Sequence, residues 1–120
     1  MKTSTRQSIF TKLKNCVNPI SVFYGFAKEQ QTRPYVTYKE YNQRRRAENS
    51  RECFLDVNIW GDRGYELNTL AELIIASLHK TGEGFRVLFN SRTTLEEQEN
   101  KVVREKVEFR VIEYNEERGE

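Results

Sequence analysis

The residues with the most scope for chemistry in this 120-residue chain lie in one short segment, FLDVNIWGDRGYE, residues 54–66. It holds two aspartates, an arginine and two glycines, at the point where an alternating apolar pattern gives way to a leucine-rich one. Two carboxylates can act as general acid and base when they converge on a substrate and one pKa is displaced. Oxygen ligands in a compact loop can bind a divalent cation. The segment is therefore either a reactive site or a structural corner between a strand and a helix.

The arrangement within the segment favours the corner. A cation loop needs several oxygen ligands close together, whereas this one places Asp62 beside Arg63. Asp56 lies on the strand face opposite its apolar neighbours, six residues from Asp62. The pair Gly61 and Gly64 falls far short of a phosphate-binding loop, but glycine suits a corner that needs a positive φ. We expect scaffold here, with no catalytic, cofactor-binding or metal-binding residue.

The other candidate catalytic residues are isolated. His79 is the single histidine and ends a helical pattern, where the helix dipole favours its positive charge. Cys16 and Cys53 have neither the spacing of a zinc site nor the number of a disulfide framework, so free thiols in a reducing compartment are expected. An enzyme with a small-molecule substrate is the least favoured class.

Composition and charge narrow the remaining classes. The chain is 37% hydrophobic and 32% charged, with a formal net charge of +2. Residues 1–60 carry eleven basic and five acidic residues, whereas residues 61–120 carry nine and thirteen. Any basic patch is therefore local, which weakens assignment to the dedicated nucleic-acid-binding proteins. Halves of opposite sign suit head-to-tail association between copies.

The only basic cluster lies in NQRRRAENS, residues 42–50, which is predicted to be a long hairpin loop. Three tyrosines precede its three arginines; the six residues are Tyr35, Tyr38, Tyr41, Arg44, Arg45 and Arg46. Such a surface could stack bases and bind phosphates. Solvated or acid-paired arginines, contact with a protein partner and contact with passing DNA remain open alternatives.

A second charged segment, SRTTLEEQENK at residues 91–101, is predicted to be a polar connection. It contains Arg92, Glu96 and Glu97 and is acidic where the other loop is basic. The two loops could meet between neighbouring subunits of a ring, or this one could be solvated and flexible.

Periodicity predicts seven elements. The helix over residues 4–17, capped by Ser4 or Thr5, ends before Pro19. The helix over residues 65–80 is the most apolar; its predicted stripe is Leu67, Leu70, Ala71, Ile74 and Leu78, widened by Leu73 and Ile75. Strands are predicted over residues 20–26, 33–41, 51–60, 85–90 and 102–114, with a frayed tail after residue 114. The order α-β-β-β-α-β-β predicts one α+β domain over residues 1–120, a mostly antiparallel sheet with two helices on one face.

Membrane insertion is not expected. Basic residues interrupt the start of the chain, so no signal peptide is recognised, and no apolar run approaches the ~20 residues of a membrane span. We expect an intracellular soluble protein.

In this order the segments resemble the tail-completion or tail-terminator proteins of long-tailed, non-contractile phages and prophages, also called head-to-tail joining or minor tail proteins. The most characteristic piece is NIWGDRGYE before a leucine-rich helix. The loop 42–50 matches no pattern of that family. The resemblance covers residues 20–114 through PYVTY (34–38), LDVNIWGDRGYE (55–66), LAELIIASLH (70–79) and VVREKVEFRVIEY (102–114).

The resemblance implies a ring without enzymatic activity or cofactor, commonly of six subunits, that caps the tail tube at full length and then receives the filled head. The implied partners are further copies, the tail tube protein and a head-completion or connector protein, with passive contact to passing DNA. The implied location is the host cytoplasm during assembly and then the head–tail junction of the virion. We expect the interfaces to use Arg44, Arg45, Arg46, Arg92, Glu96 and Glu97.

Three matters stay open in this interpretation. A head-side connector or head-completion protein, or a small nucleic-acid-binding module built on residues 35–46, would also fit. The stoichiometry is not fixed by the sequence. Neither is the side of the ring that meets the head, nor whether the ring forms free in solution or only on the tail.

Overall fold

Five strands form one sheet, and two helices pack on one face of it. The computed structural model describes residues 1–27, 32–47, 49–62, 64–79, 82, 84–97 and 101–114, without the side chains of residues 46, 47, 64 and 65. The elements are α1 (Thr3–Val17), β1 (Val22–Tyr24), β2 (Tyr35–Ala47), β3 (Ser50–Gly61), α2 (Gly64–Leu78), β4 (Phe85–Glu97) and β5 (Val102–Tyr114). The predicted α+β class and element order are confirmed.

The strands lie in the order β1-β2-β3-β5-β4. Strands β2, β3, β5 and β4 pair antiparallel, as predicted. They are 12 or 13 residues long, which is longer than predicted for β2, β3 and β4. Strand β1 is parallel to β2 and pairs only with Val36 to Tyr38, so most of β2 beyond it has an unpaired outer edge. The outer edge of β2 is therefore only partly covered by another strand.

Three register shifts interrupt the long strands in the described part of the chain. In β2 one falls between Tyr41 and Arg44, where Asn42 has a φ of 55°, and one between Arg45 and Ala47. In β4 the third falls between Phe89 and Ser91, so Asn90 is an extra residue opposite β5. An extra residue reverses the faces that all later side chains of the strand take.

The core lies between the helices and one face of the sheet. On β3 the predicted alternation is confirmed, because Cys53, Leu55, Val57 and Ile59 are all buried there. The helices contribute every third or fourth residue, as the 3.6-residue period requires. Their buried apolar residues are Ile9, Leu13, Val17, Leu67, Ala71, Ile74 and Leu78. Leu73 does not widen the stripe as predicted, since 47% of it is exposed.

Both predicted charged loops are wrong over most of their length. Residues 42–47 continue β2 and residues 50 onward begin β3, with Arg44 opposite Glu52. Residues 91–97 likewise continue β4, with Leu95 opposite Arg104. Neighbouring strands supply the backbone partners and opposite charges that make polar residues stable in a strand. Residues 48, 98–100 and the predicted frayed tail 115–120 lie outside the described residues.

The start of α1 also differs from the prediction. Neither Ser4 nor Thr5 caps the helix; Lys2 takes the N-cap position without a side-chain cap, and Thr5 is buried. The Lys2 backbone N–H instead donates to Glu113 Oε2 of β5 at 2.9 Å. A distant carboxylate thus serves the helix N-terminus, where negative charge is favourable.

Candidate assembly surfaces

The two aspartates of the opening segment do not converge. Asp56 lies in the middle of β3 and is 8% exposed, with Lys106 Nζ 3.9 Å from its Oδ2. Asp62 lies beyond the end of the strand and accepts a 2.9 Å hydrogen bond from Arg33 Nε. Six residues of extended chain separate them by roughly 20 Å. Among the described residues, no three His, Cys, Asp or Glu side chains form a group that could hold a metal ion.

Gly61 is required for close packing and not for a positive φ, which corrects the reason given from the sequence. A Cβ atom at Gly61 would lie 2.6 Å from Leu67 Cδ2. Leu67 is completely buried in the first turns of α2. The glycine therefore lets the helix pack directly against the end of β3, and this is the structural role of the corner. Arg63 lies outside the described residues.

His79 and the cysteines have structural surroundings. His79 is exposed after α2, and its Nδ1 accepts the Phe89 backbone N–H at 3.4 Å. Both cysteines are free, as predicted. Burial raises the pKa of Cys53 to about 11, so its thiol stays protonated at neutral pH and is a poor nucleophile.

Arg44 belongs to a charge cluster centred on Glu52. Arg110 Nε donates to Glu52 Oε2 at 2.6 Å, and Arg44 Nη2 donates to Oε1 at 3.5 Å. These arginines, Arg110 foremost, hold the pKa of Glu52 below its usual value. The Glu52 side chain is only 5% exposed, whereas 67% of the Arg44 side chain remains accessible. Arg44 can therefore contact a partner while pairing internally.

Arg45 lies directly opposite Arg51, and both are exposed. Like charges at facing positions of an antiparallel pair are unfavourable. Because Arg45 is exposed near the end of β2, this position suits an acidic partner. Arg46 lies in β2, but its side chain is outside the description.

Arg92 is bound within the subunit and is a poor candidate for a partner contact. It pairs with Glu105 of β5, and its guanidinium also contacts Asn68 of α2. Only 24% of its side chain is exposed. Sequence reasoning could not find these partners, because they come from elements 24 residues before it and 13 residues after it.

Glu96 and Glu97 remain accessible at the end of β4. Glu96 is opposite Val103 and Glu97 opposite Val102, so the two side chains take opposite faces of the sheet. Glu96 takes the face covered by helices, since β5 puts Val103 on the same side as the buried Val107.

The basic and acidic ends of the hairpins lie at opposite ends of the molecule. Ser50, after the β2–β3 turn, is level with Tyr114. Gly61, at the other end of β3, is level with Val103 and thus with Glu96. The longest dimension is 54 Å. One subunit therefore cannot pair these charges within itself, but two copies placed head to tail can.

The face of the sheet away from the helices, called the open face below, consists of Glu52, Phe54, Asp56, Asn58 and Trp60 of β3 and the residues paired with them. Within the described part of the chain, no element covers it. Asp56 Oδ1 and Asn58 Oδ1 are buried there without a hydrogen-bond partner. The sequence pattern showed this second alternation in β3, but not its cross-strand partners.

Aromatic and charged contacts join side chains of neighbouring strands on the open face. The Tyr35 and Trp60 rings stack with centroids 6.0 Å apart, and the Arg104 guanidinium lies 5.0 Å from the Trp60 centroid. Further along, Tyr41 stacks on Phe54 and donates to Glu108. Stacked rings and charged contacts therefore link β2, β3 and β5 across this face.

The structure does not bring the proposed nucleic-acid surface together. Tyr38 lies in the core, 5% exposed, with its ring 6.1 Å from Phe10. Tyr35 takes the open face, opposite Trp60, at the far end of β2 from Arg44. Adjacent strand positions alternate in face, so Tyr35 and Tyr38 cannot stack bases on one surface.

No helix in the described ranges is long and apolar enough to cross a membrane.

Comparison with known proteins gives a structural likeness but no sequence relative. No protein-family model matches this chain, and no curated protein matches it either. A solved structure described as "Virion of native gene transfer agent (GTA) particle" contains a chain that superposes with a TM-score of 0.65. The likeness covers 88% of this chain and 91% of that chain at 11% sequence identity. At this identity it shows a shared fold over nearly the full length of both chains.

Proposed function

We propose that this chain is a structural protein of a phage-like particle, which caps the tail tube as a ring, ends tail elongation and provides the surface for head attachment. The observation that carries the proposal is the fold shared with a chain of a gene transfer agent virion over nine-tenths of that chain. The resemblance of residues 20–114 to tail-completion proteins supports the finer assignment.

The charge distribution supports assembly from several copies. The basic end of β2 and the acidic end of β4 lie at opposite ends of one subunit, so each copy offers complementary ends to two neighbours. A contact of this type joins different surfaces of identical subunits and closes into a ring when the rotation permits. Contacts that are individually weak become stable when the ring closes.

In this proposal the partners are further copies, commonly six in total, the last ring of the tail tube and the head-completion or connector protein. DNA passing through the ring makes only passive contacts. The chain works without enzymatic activity or a cofactor. It forms one terminator-like domain that assembles in the host cytoplasm and remains at the head–tail junction.

Electron microscopy of particles produced with this gene stopped tests the role. Over-long tails without heads are expected if the protein ends tube growth. Normal tails beside filled heads would contradict a tail-side role and favour the head-side connector. Ordinary infectious particles would contradict the assembly function altogether, and a salt-dependent DNA-binding assay would then be the next experiment.

A further inference from the structure

The second half of β2 carries a recess beside its first bulge. An open cavity of about 270 Å³ lies there, lined by Asn42, Gln43, Arg44 and Phe54. Asn42, with a φ of 55°, lies within the register shift between Tyr41 and Arg44. A bulge bends its strand and redirects side chains, and bulges often border functional sites. The four lining residues are called the Arg44 recess below.

The side chains of the Arg44 recess offer hydrogen-bond donors. Gln43 Oε1 accepts the Met1 ammonium at 2.6 Å, which leaves the amide N–H groups of Gln43 available. Asn42 is exposed, and its side chain has no hydrogen-bond partner among the described residues. Arg44 donates to Glu52 through Nη2 alone, at 3.5 Å, and 67% of its side chain remains exposed. Several donors beside a positive charge suit a group that only accepts hydrogen bonds, such as a carboxylate.

The surroundings of the recess strengthen its attraction for an anion. The Phe54 ring is half-buried and stacks on Tyr41, with centroids 5.6 Å apart. It shields one side of the recess from water, and hydrogen bonds are stronger where water is partly excluded. Glu52 does not neutralise the site, because Arg110 and Arg44 share this single carboxylate. The recess therefore carries an excess of positive charge.

The other end of the molecule offers exposed carboxylates, and most of them are already stabilised. Asp62 pairs with Arg33, and Glu97 has an interaction within the chain. Glu66 lies in the first turn of α2, where the helix dipole stabilises negative charge. Glu96 is exposed at the end of the outer strand β4, and nothing among the described residues pairs with it. Glu96 is therefore the carboxylate best suited to bind another copy.

We propose that the Arg44 recess of one copy binds the Glu96 carboxylate of the next. This proposal rests on the proposed ring and names its subunit contact. Within one copy the two groups cannot meet. Arg44 is level with Ile112 through Glu52, whereas Glu96 is level with Val103, and these two residues of β5 lie roughly 30 Å apart. A head-to-tail contact between copies brings the two groups together.

Such a contact is compatible with a closed ring. It joins side chains at two ends and does not extend the sheet from copy to copy, so neighbours need not share a strand direction. In a ring of six, each copy is rotated by about 60° from the one before it. A carboxylate bound by side-chain donors leaves the angle between the two long axes free to take that value.

Cross-linking without a spacer tests the contact in the full-length chain. The variant Arg44→Lys keeps the positive charge, and a carbodiimide joins its amine to a touching carboxylate as an amide while the reagent leaves as a urea. Mass spectrometry is expected to find an amide between residues 44 and 96, both in concentrated protein and in assembled particles. This bond must join two copies, because the two positions lie at opposite ends of one copy. Adding Glu96→Gln should abolish it.

Arg86→Lys is the matched control. Arg86 is exposed and level with Arg44 on the same face, but it lies on β4 at the other side of the sheet. No amide between residues 86 and 96 is expected. Oligomers or particles that contain a 44–66 or 86–96 amide in place of the 44–96 amide would overturn the contact and leave the ring intact. A chain that is monomeric in solution and absent from particles would overturn both proposals.

A double-mutant cycle followed by analytical ultracentrifugation provides a second measurement. Arg44→Gln and Glu96→Gln are each expected to weaken association about fivefold, and the double variant to weaken it no more than one change alone. Arg110 still binds Glu52 in Arg44→Gln, so the fold is kept, and urea unfolding checks this. Glu66→Gln removes the same charge at the same end and should change association by less than about twofold. Additive effects of Arg44→Gln and Glu96→Gln would overturn the direct contact.

Discussion

At the scale of single residues, charge pairing explains most of the polar side chains that the sequence offers as reactive groups. Glu52 lies between two arginines, and Arg92 between Glu105 and Asn68. Asp62 is paired with Arg33. These contacts hold strands and helices in place. None of these carboxyl groups lines a cleft in which a shifted pKa could serve catalysis.

The Glu52 cluster makes stability depend on acid pH. Because the arginines lower the folded-state pKa of Glu52 below its ordinary value of 4.5, the stabilisation is present at neutral pH. It is lost as the pH falls below about 4.5 and through the folded-state pKa. Glu52→Gln is expected to lower the free energy of unfolding by about 1–2 kcal/mol at pH 7. Urea unfolding at pH 7 and pH 3 measures this.

The loss is expected to shrink toward pH 3, as protonation removes the charge that Glu52→Gln also removes. Glu96→Gln, at an exposed position, is the control and is expected to change stability by less than about 0.5 kcal/mol at either pH. An equal loss at both pH values for Glu52→Gln would contradict the arginine pairing.

Gly61→Ala tests the packing role of the corner. The new methyl carbon would lie 2.6 Å from Leu67 Cδ2, which is closer than van der Waals contact, so a loss of about 1–3 kcal/mol is expected from overpacking. The cycle with Leu67→Ala isolates the clash. Once Leu67 is shortened, adding Ala at position 61 is expected to cost much less. Simple additivity in thermal or urea unfolding would show that the clash is not the cause.

At the scale of elements, the sequence predicts where helices and strands occur from the spacing of apolar residues, but it does not predict where the long strands end. The helices α1 and α2 were predicted within two residues of their bounds, because their apolar residues repeat at helical spacing. The ends of β2 and β4 resemble loops in the sequence because their residues are polar. Their stability comes from cross-strand partners such as Glu52 and Arg104, which no local pattern identifies.

The same limit applies to the candidate interface. Arg44, Arg45, Glu96 and Glu97 were identified from charge alone, and they remain accessible. Arg92 lies in the same charged segment, but it is held within the subunit by Glu105. The faces taken by these side chains depend on bulges, which the sequence does not mark with glycine or proline.

Helix α1 is expected to be an integral part of the fold, because Leu13 is completely buried between it and the rest of the core. Leu13→Ala should cost about 2–5 kcal/mol in urea unfolding, as large cavities do in packed cores. Thr11→Ala, on the exposed side of the same helix, is the matched control and should stay within about 0.5 kcal/mol. Equal effects would mean that α1 is only loosely attached.

At the scale of the whole molecule, the long shape with oppositely charged ends makes association directional. Each copy carries one basic and one acidic end, so a two-fold dimer through either end alone sets like charges together. Association through these ends is expected to weaken as salt rises, since exposed charges are screened.

Arg45→Glu tests this directionality without damaging the subunit. Inside one copy it removes the repulsion with Arg51, so monomer stability should rise by a few tenths of a kcal/mol. Between copies it sets the new carboxylate against an acidic end and should weaken association about fivefold, or about 1 kcal/mol. Analytical ultracentrifugation measures the association. Glu96→Lys in the same chain should restore it.

Arg51→Glu is the matched control for that experiment. It makes the same change in net charge and relieves the same internal pair, but it lies on the inner strand β3. Because residue 51 also faces Glu113 of β5, the free energy of unfolding of this variant is measured beside its association. Its association is expected to stay close to that of the unsubstituted chain. If both variants lost association equally, the change in net charge and not its position at the end of β2 would be responsible.

The bulge at Asn90 decides which face of the sheet each of the last seven residues of β4 takes. One inserted residue turns the strand by half a period, which sends Arg92 toward the helices and Leu95 toward the open face. Removing Asn90 would exchange the two faces, so Arg92 would lose Glu105 while Glu96 and Glu97 changed places. A single residue thus fixes two properties together. One is the contact of Arg92 with Glu105, which holds the strand within its own subunit. The other is the face of the sheet on which Glu96 and Glu97 can meet a neighbouring copy.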